Sequence, residues 1–223
     1  MKLNTRAVLF DLDGTLLDTA PDMAGALNRL RLEEQLAPLE FSAVRPHVSN
    51  GARAMVRLGF GVDQGEPGFE PLRQRFLVCY EQGLCIETRP FPGIDVVLDV
   101  LEQLGVPWGV VTNKPGWLTQ PLLAALQLAE RAAVVVSGDS TPQRKPNPEP
   151  LLHACRALHL RPAECTYVGD SARDMEAALR AGMQALAVTF GYIPAGDDPA
   201  RWGAHALVTS PDEILQRLTA SAA

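Results

Sequence analysis

The sequence predicts an α/β fold: a doubly wound parallel sheet with helices on both faces and an all-helical insertion after the first strand. Two patterns indicate it. From residue 93 onward, helical patterns alternate with short apolar runs, which is typical of parallel strands joined by helices. Between residues 17 and 87, apolar residues recur at helical spacing and no convincing strand is visible.

The first strand is predicted at Arg6 to Phe10, where apolar residues lead directly into Asp11, Asp13 and Gly14. Acids and a glycine after an apolar run indicate that a buried strand stops at a turn. Residues i and i+2 of a strand point the same way, so both aspartates should project beyond its carboxyl end, where open α/β sheets bind ligands. Two neighbouring carboxylates repel each other, and they need a cation or a shared proton to coexist.

The insertion is predicted to form a helical cap domain at 17–87, and the catalytic core domain is predicted at 1–16 and 88–223. We expect the two domains to be hinged near 15–18 and 86–91. The cap helices are predicted at 21–36, 51–59 and 69–83, with a loop at 59–68.

The core elements are predicted to alternate. Helices at 93–104, 116–127, 148–159 and 171–181 each precede a strand, at 107–111, 133–136, 165–168 and 185–188. Because these strands are parallel, their carboxyl ends lie on one edge of the sheet. Polar residues suited to phosphate chemistry follow them: Thr112 and Asn113 after the second strand, Lys145 after the third, and Asp170 and Asp174 after the fourth.

The composition favours a cytoplasmic protein with a small-molecule partner. The 223 residues are 47% hydrophobic and 21% charged, as in ordinary globular proteins, and the net charge of -6 argues against nucleic acid as a partner. The four cysteines lie far apart, which indicates reduced thiols rather than disulfides or a zinc site. With no signal peptide and no long apolar run, no membrane partner is expected. We expect a monomer or a homodimer.

The residues predicted at the strand ends suit phosphoryl transfer. An ionised Asp11 can attack phosphorus and form an aspartyl-phosphate. Asp13 can protonate the leaving alcohol and then activate the hydrolytic water. A carboxylate that attacks a phosphate dianion is repelled, so we expect Mg²⁺ to neutralise the charge, held by Asp11, the backbone carbonyl of Asp13, and Asp170.

Three further residues are expected to contact the phosphate. The hydroxyl of Thr112 and the backbone N–H of Asn113 can donate to phosphoryl oxygens, and Lys145 can lie between the phosphate and Asp11. Lysine is scarce, with three lysines against seventeen arginines, yet Lys114 and Lys145 both follow predicted strands. We expect Lys114 to be a loop residue beside the site rather than a catalyst.

In the cap, residues 49–53 form a predicted turn that opens a helix. Backbone N–H groups at a helix N-terminus favour anions, which makes Gly51 a candidate for substrate binding. We expect Arg53, two residues on, to contact a carboxylate or a sugar of the substrate. The alternative is an arginine of the cap surface without a ligand.

Four short motifs resemble, in order, those of the haloacid dehalogenase superfamily: D-L-D-G-T at 11–15, V-T-N at 111–113, K-P-x-P at 145–148 and G-D-S-x-x-D at 169–174. The resemblance covers nearly the whole chain and includes a helical cap between the first two motifs. It implies a Rossmann-like core and a Mg²⁺ cofactor. The roles it implies are a nucleophile at Asp11, an acid/base at Asp13, a phosphate-binding hydroxyl at Thr112, the family's lysine at Lys145, a metal-binding acid at Asp170, and at Asp174 an acid that binds the metal through water or orients Lys145.

The superfamily contains several reactions, and the sequence favours a phosphatase, a phosphoric monoester hydrolase. Asp13 stands where dehalogenases have no acid, and residues 17–87 contain no lysine for the Schiff base of phosphonate cleavage. A phosphomutase stays open because it shares the same core. From another class, a phospho-receiver signalling module also combines an acid pair, Mg²⁺, a threonine and a lysine, although the cap insertion argues against it.

Shorter stretches resemble two groups of phosphatases. Residues 112–115, 145–150 and 169–171 resemble phosphoglycolate phosphatases. Finer stretches at 51–56, 108–115, 191–193 and 202–204 resemble bacterial phosphatases that act on N-acetylmuramic acid 6-phosphate. We therefore expect a small phosphorylated metabolite as the substrate, either 2-phosphoglycolate or N-acetylmuramic acid 6-phosphate.

Overall fold

The computed structural model describes residues 5–219. Within this range the strands are β1 (Ala7–Phe10), β2 (Leu17–Asp18), β3 (Arg89–Pro90), β4 (Trp108–Val111), β5 (Val134–Val136), β6 (Cys165–Gly169), β7 (Gln184–Val188) and β8 (Ala206–Val208). The α-helices are α1 (Ala20–Glu33), α2 (Phe41–Val44), α3 (Gly51–Phe60), α4 (Phe69–Gln82), α5 (Ile94–Gln103), α6 (Gly116–Ala125), α7 (Glu149–Leu158), α8 (Ala172–Ala181) and α9 (Pro211–Thr219). A 3₁₀ helix at Arg45–Asn50 joins α2 to α3.

The strand β1 lies inside a six-stranded parallel sheet with the order β5-β4-β1-β6-β7-β8. Its last residue, Phe10, pairs with Val110 of β4 and Val168 of β6, so these three strands end at one level. The predicted parallel sheet is confirmed. Because the strands are in register, the polar residues that follow β1, β4 and β6 meet at one edge of the sheet.

The two faces of the sheet bury separate apolar layers. Val8 and Phe10 belong to one layer, and Ala7 and Leu9 belong to the other, because alternate side chains of a strand point to opposite sides. All four side chains are fully buried. A strand that is covered on both faces needs an uninterrupted apolar run, which is why the first strand is visible in the sequence.

The helices α1 to α4 lie between β2 and β3 in the chain and form the helical insertion. The helix α1 packs against α4. Buried side chains of both helices, among them Leu27, Leu30, Phe76 and Tyr80, join the same apolar layer as Val8. The limits of the cap at 17–87 stay a prediction.

Two short strands lie at the predicted hinges. The strand β2 pairs with β3 in antiparallel fashion, with Leu17 opposite Pro90 and Asp18 opposite Arg89. The prediction of no strand from residue 17 to residue 87 is therefore wrong at Leu17 and Asp18. A two-residue strand has no periodicity that a sequence pattern can detect. This pair joins the chain segments that enter and leave the helical insertion.

Some element limits also differ from the prediction. The helix α1 ends at Glu33 rather than near 36, and Gln35 beyond it has a positive φ of 58°, which is incompatible with a continuing helix. The elements α2, β8 and α9 were not predicted. The spacing of Ile214 and Leu218 could have indicated α9, because residues four apart lie on one face of a helix, and both side chains are buried in the structure.

The four cysteines are free thiols, as the sequence predicts. The Sγ atoms of Cys155 and Cys165 lie 3.7 Å apart in a buried layer. Among the helices of residues 5–219, none is long and apolar enough to cross a membrane.

Candidate active site

Asp11 follows β1 directly and is buried beside Lys145. The Nζ atom of Lys145 lies 2.9 Å from Asp11 Oδ1 and 2.7 Å from Asp174 Oδ1, and it donates to the Tyr167 hydroxyl at 2.7 Å. Burial opposes the charge of the lysine, but the two carboxylates outweigh burial and raise the pKa of Lys145 above its usual value. Lys145 is therefore a fixed positive charge next to Asp11.

Asn113 anchors the loop that carries Lys145. Its side-chain NH₂ group donates to the Lys145 carbonyl at 2.9 Å, and its side-chain oxygen accepts from the Lys145 N–H at 3.0 Å. The preceding residue, Thr112, is buried, and its Oγ1 accepts from the Lys114 N–H at 3.1 Å, which leaves the hydroxyl proton able to donate to a ligand. The end of β4 thus fixes Lys145 and presents a hydroxyl at the same edge of the sheet as Asp11.

Asp11, Asp170 and Asp174 form a buried cluster of acids at this edge of the sheet. Each offers a carboxylate oxygen within 4.8 Å of the others. Burial raises the pKa of Asp11 to about 6, although Lys145 partly offsets it. Burial and the charges of Asp11 and Asp174 raise the pKa of Asp170 to about 8. If all three acids were ionised, the cluster would carry more negative charge than its neighbours neutralise, which is why protons are retained in the absence of a cation.

The cluster fits a divalent cation such as Mg²⁺. Asp170 Oδ2 accepts from the Tyr192 N–H at 2.9 Å and from the Ser49 hydroxyl at 2.6 Å, but Asp170 Oδ1 is buried and has no hydrogen-bond partner among residues 5–219. Such an oxygen is costly to bury, and carboxylate oxygens are the ligands that Mg²⁺ prefers. The Asp13 carbonyl oxygen lies 3.4 Å from the same Ser49 hydroxyl. These contacts group Asp11, Asp170 and the Asp13 carbonyl as candidate ligands of one ion.

Asp174 is placed differently from the other two acids. Its Oδ1 pairs with Lys145 Nζ, and its Oδ2 accepts from the Ser171 hydroxyl. Burial raises its pKa, but Lys145 and Arg173 outweigh burial and lower the pKa of Asp174 below its usual value. Of the two roles expected for Asp174, this geometry favours orienting Lys145 over binding the metal through water.

Asp13 is held by Thr19, the residue that directly precedes α1, and by a second buried lysine. Its Oδ1 accepts from the Thr19 hydroxyl at 2.6 Å and from Lys114 Nζ at 2.9 Å. Lys114 is buried and also donates to the Tyr80 hydroxyl at 2.9 Å. Burial opposes its charge, but Asp13 and Tyr80 outweigh burial and raise the pKa of Lys114 above its usual value. The expectation of a loop residue beside the site is therefore incomplete, because Lys114 is buried against Asp13.

Gly14 allows the first motif to approach the acid cluster. Its φ is +86°, and a Cβ atom at this position would meet Asp170 Oδ2 at 2.0 Å and Ser49 Oγ at 2.9 Å. Both the backbone conformation and the lack of space therefore require glycine here. Its role in the first motif is to let the loop after β1 lie against Asp170.

A cavity of about 810 Å³ lies between the helical insertion and the sheet edge. The sequence-predicted site residues that line it are Asp11, Asp13, Gly51, Arg53, Thr112 and Asn113. Apolar side chains also line it: Met23, Phe69, Phe76, Leu77 and Leu118. Four arginines add positive charge: Arg53, Arg73, Arg144 and Arg173. The cavity therefore combines an apolar wall with groups that attract anions.

A sequence model described as haloacid dehalogenase-like hydrolase matches residues 8–188. The chain belongs to this family of haloacid dehalogenase-like hydrolases. The matched range contains all four motifs and every residue of the acid cluster. The resemblance that the motifs indicate is thus confirmed.

Named relatives of this hydrolase are phosphatases. The N-acetylmuramic acid 6-phosphate phosphatase of Pseudomonas aeruginosa is 44% identical over 217 residues, which cover 97% of this chain and 96% of the relative. A phosphoglycolate phosphatase of Xanthomonas campestris pv. campestris is 44% identical, and the match covers 95% of each chain. The crystal structure of a predicted phosphoglycolate phosphatase from Haemophilus somnus is similar with a TM-score of 0.86 and 28% identity, covering 97% of this chain and 99% of that one. The protein is thus a phosphoric monoester hydrolase.

The fold of this hydrolase brings the predicted site residues together in two groups. Those that line the cavity can reach a ligand directly, and Arg53 among them is exposed. Lys145, Asp170 and Asp174 lie in the buried cluster around Asp11 instead. The cavity and the cluster share Asp11, so a ligand in the cavity would meet the charge of the cluster there.

Sequence reasoning missed the residues that support this site: Ser49, Tyr80, Tyr167, Arg173 and Tyr192. Arg173 donates to Asn50 Oδ1 at 3.0 Å and to the Ser49 carbonyl, so it joins the core to the 3₁₀ helix of the insertion. Its place next to Asp174 in the fourth motif is a signal that could have identified it. Ser49 and Tyr80 carry no such signal, because their partners lie far away in the chain.

Proposed function

We propose that this hydrolase removes the phosphate from a small phosphorylated metabolite through an aspartyl-phosphate on Asp11. One observation carries the proposal: Asp11 and Asp13 line one cavity, and each is engaged by a buried lysine, Lys145 for the first and Lys114 for the second. An ionised carboxylate beside a fixed cation suits a nucleophile. A second carboxylate facing the same cavity suits an acid/base.

The reaction consists of two displacements at phosphorus. In the first, an oxygen of Asp11 attacks the phosphorus, the bond from phosphorus to the ester oxygen breaks, and that oxygen takes a proton from Asp13 and leaves as an alcohol. In the second, the ionised Asp13 takes a proton from water, and the water oxygen attacks the aspartyl-phosphate. The bond from phosphorus to Asp11 breaks, inorganic phosphate leaves, and Asp13 carries a proton again.

Three groups are proposed to hold the transferred phosphate. Lys145 offsets its charge from beside Asp11, and the Thr112 hydroxyl and the Asn113 N–H donate to its oxygens. Asn113 has a second role, because its side chain forms hydrogen bonds with both the carbonyl and the N–H of Lys145. Loss of Asn113 would therefore affect both the donor and the position of the lysine.

We propose Mg²⁺ as the cofactor. Asp11, the carbonyl of Asp13 and Asp170 would hold it, while Asp174 orients Lys145. When bound, the ion supplies positive charge that offsets the repulsion between Asp11 and the phosphate. The buried and unpartnered Oδ1 of Asp170 supports this assignment.

The size of the cavity favours a leaving group of sugar size. Its volume of about 810 Å³ lies in the range of pockets that enclose drug-sized ligands, about 300–1,000 Å³. Glycolate would fill a small part of it, whereas a hexose with an acetamido and a lactyl group would reach both the apolar wall and the arginines. N-acetylmuramic acid 6-phosphate is therefore our first candidate substrate. The second is 2-phosphoglycolate, since relatives of both names are 44% identical to this chain.

Arg53 is the proposed contact for the lactyl carboxylate. It is exposed and lines the cavity, whereas Arg73 is already paired with Glu70 at 2.6 Å. Gly51 opens α3 two residues earlier and also lines the cavity, so its backbone N–H can contribute to the same anion.

We expect a higher kcat/KM for N-acetylmuramic acid 6-phosphate than for N-acetylglucosamine 6-phosphate, and the lowest value for 2-phosphoglycolate. The two sugar phosphates differ only in the lactyl group, so the ratio of their kcat/KM values isolates the contribution of that group, which carries the carboxylate. Arg53→Ala should raise KM for the first about 10-fold, the effect of one charge-assisted hydrogen bond, and leave KM for the second unchanged. Steady-state phosphate release measures all of these values.

The matched control is Arg57→Ala. Arg57 lies one turn further along α3, is exposed, and pairs with Asp63 at 3.5 Å, and it does not line the cavity. Arg57→Ala should leave KM unchanged for both sugar phosphates. If Arg53→Ala raises KM equally for the two sugar phosphates, Arg53 does not contribute to substrate specificity. If kcat/KM is higher for 2-phosphoglycolate than for N-acetylmuramic acid 6-phosphate, 2-phosphoglycolate becomes the first candidate substrate.

Asp11→Asn should abolish phosphate release, because an amide is a far weaker nucleophile than a carboxylate. Acid quench of the wild-type enzyme during turnover, followed by mass spectrometry, should find phosphate on Asp11. Turnover without that modification would contradict the mechanism. Transfer of the phosphate to a second hydroxyl of the sugar, in place of its release, would support the phosphomutase alternative.

The comparisons favour a phosphatase over a signalling receiver, since the relatives reported above are named phosphatases. Two further expectations belong to this proposal. We place the activity in the cytoplasm, and we expect a monomer or a homodimer without nucleic-acid or membrane partners. Cell fractionation and sedimentation would measure the location and the oligomeric state.

A further inference from the structure

Lys114 is a buried lysine with no assigned task in the proposed reaction. Its Nζ lies 2.9 Å from Asp13 Oδ1, and its side chain is 5% exposed. The Thr19 hydroxyl donates to the same oxygen at 2.6 Å. Two donors on Oδ1 hold the carboxyl group in one orientation, and Oδ2 is then the oxygen that faces away from both.

The helical insertion holds Lys114 through Tyr80 of α4. The Tyr80 hydroxyl accepts from Lys114 Nζ at 2.9 Å, and the ring centroid lies 4.5 Å from the same nitrogen. An ammonium group this close to an aromatic face is attracted to it, more strongly where water is excluded, and Tyr80 is 1% exposed. Phe76, one helical turn earlier, stacks on Tyr80 with ring centroids 6.4 Å apart. The position of Nζ is thus determined from the cap side as well as from the core.

We propose that Lys114 is a positioning residue for Asp13 and that Tyr80 is the cap residue that keeps it in place. This inference rests on the proposed function, in which Asp13 gives a proton to the leaving oxygen and later takes one from water. Because Oδ1 is occupied, Oδ2 makes both transfers, and one orientation of the carboxyl group serves both steps. The cap thereby contributes to proton transfer through a side chain that touches none of the reacting atoms.

Two other roles for Lys114 would have different kinetic consequences. A lysine that binds the phosphate supports the attack by Asp11, so its loss slows phosphorylation of Asp11 and raises KM. If Lys114 has only a structural role, its loss lowers the stability of the protein and does not slow one chemical step more than another. A lysine that positions Asp13 acts on the proton transfers, and a leaving group that needs no proton separates these from the attack.

The test compares the wild-type enzyme with Lys114→Met on p-nitrophenyl phosphate and Mg²⁺. Nitrophenolate leaves without a proton, so phosphorylation of Asp11 should keep its wild-type rate, whereas hydrolysis of the phosphoenzyme needs Asp13 as a base. We expect a burst of nitrophenolate followed by a slow steady state, with kcat lowered ~100-fold. KM should fall together with kcat, because the second step limits turnover. Acid quench and mass spectrometry should find the accumulated phosphate on Asp11.

Tyr80→Phe keeps the ring and removes only the hydroxyl that accepts from Lys114. We expect the same burst pattern with kcat lowered ~5-fold, the effect of one lost hydrogen bond. Thr166→Val is the matched control, since it also removes one buried hydroxyl, which donates to Gln184 at 3.2 Å inside the sheet and does not line the cavity. Its kcat should equal that of the wild type.

An unchanged kcat in Lys114→Met would overturn the positioning role, and so would a raised KM with slow phosphorylation and no accumulated phosphoenzyme. Circular dichroism checks that the variant is folded, and if it is not, Tyr80→Phe decides by the same criteria. The proposed function fails by other signs: wild-type Asp11 is then never phosphorylated, or Asp13→Asn hydrolyses the phosphoenzyme at the wild-type rate. The two failures are therefore distinguishable.

Discussion

At the scale of single residues, the site depends on charges that are kept out of water. Asp11, Lys114, Lys145 and Asp170 are each at most 8% exposed, and burial together with charged neighbours shifts the pKa of each one. Buried charges persist only where they are paired or bound to an ion. Each lysine has a carboxylate partner, whereas one oxygen of Asp170 has no partner in the described part of the chain. That oxygen is the physical reason to expect a cation.

The metal-free protein should lose stability as the pH rises from about 4 to about 8. The pKa of Asp170 is raised from 3.8 to about 8, so in this window the folded state keeps a proton that the unfolded state has released. The stability from that proton is complete below the unfolded pKa and is lost as the pH nears 8. Mg²⁺ binds in place of the proton, so it should raise Tm more at about pH 8 than at about pH 5.5. Thermal melts with Mg²⁺ and with EDTA measure the difference.

The comparison for this prediction is Asp170→Asn, which keeps the size of the side chain and removes its titration. In this variant Mg²⁺ should raise Tm less than in the wild-type protein at both pH values. The difference between the two pH values should shrink to the part that comes from Asp11, whose pKa burial raises to about 6. If Mg²⁺ stabilises the wild-type protein equally at both pH values, Asp170 is not the group whose proton competes with the metal.

At the scale of elements, the start of α1 is fixed to the segment that leads back to the sheet. Asp22 lies in the first turn of α1 and is buried. Its carboxylate accepts from the Glu87 N–H at 2.9 Å, from the Thr88 N–H at 3.0 Å and from the Thr88 hydroxyl at 2.6 Å. The pairing of β2 with β3 lies next to these bonds. Both predicted hinge segments are therefore tied to each other, and the insertion is anchored at its two ends together.

Asp22→Ala should lower the free energy of unfolding by about 2–3 kcal/mol, because it leaves three donors around a buried site without an acceptor. Urea denaturation measures the change. Asp95→Ala is the matched control, since Asp95 is also an acid in the first turn of a helix, α5, but it is exposed. Its loss removes only the interaction with the helix dipole, at most about 1 kcal/mol. Equal losses in the two variants would show that the bonds to residues 87 and 88 add nothing.

At the scale of the whole molecule, the insertion and the core meet around the cavity through residues next to the reacting centre. Ser49 of the insertion donates to Asp170, and Tyr80 accepts from Lys114. A third contact lies beside them, where Arg45 donates to the Gly191 carbonyl at 3.2 Å. Each contact joins the insertion to the core beside an acid of the site or beside its support. The position of the insertion on the core and the geometry of the acids are therefore coupled.

Much of the site could be predicted because its residues follow strands whose apolar runs are visible. Asp11 and Asp13 follow β1, Thr112 follows β4 and Asp170 follows β6, and parallel strands in register carry such residues to one edge. Each of these positions depends on a local pattern. The role of Lys114 could not be predicted in this way, because a loop lysine can point to water or into the protein, and its neighbours decide which.

The sequence by itself determined the order of the core elements, the side chains at the sheet edge and the family to which the chain belongs. These follow from periodicity and from residues adjacent in the chain. Only the tertiary structure decided that Tyr80 reaches Lys114, 34 residues away, and that Lys114 reaches Asp13, 101 residues away. It also decided the volume enclosed between the insertion and the core. Contacts between distant segments depend on how helices and strands pack, and no local pattern of residues encodes that packing.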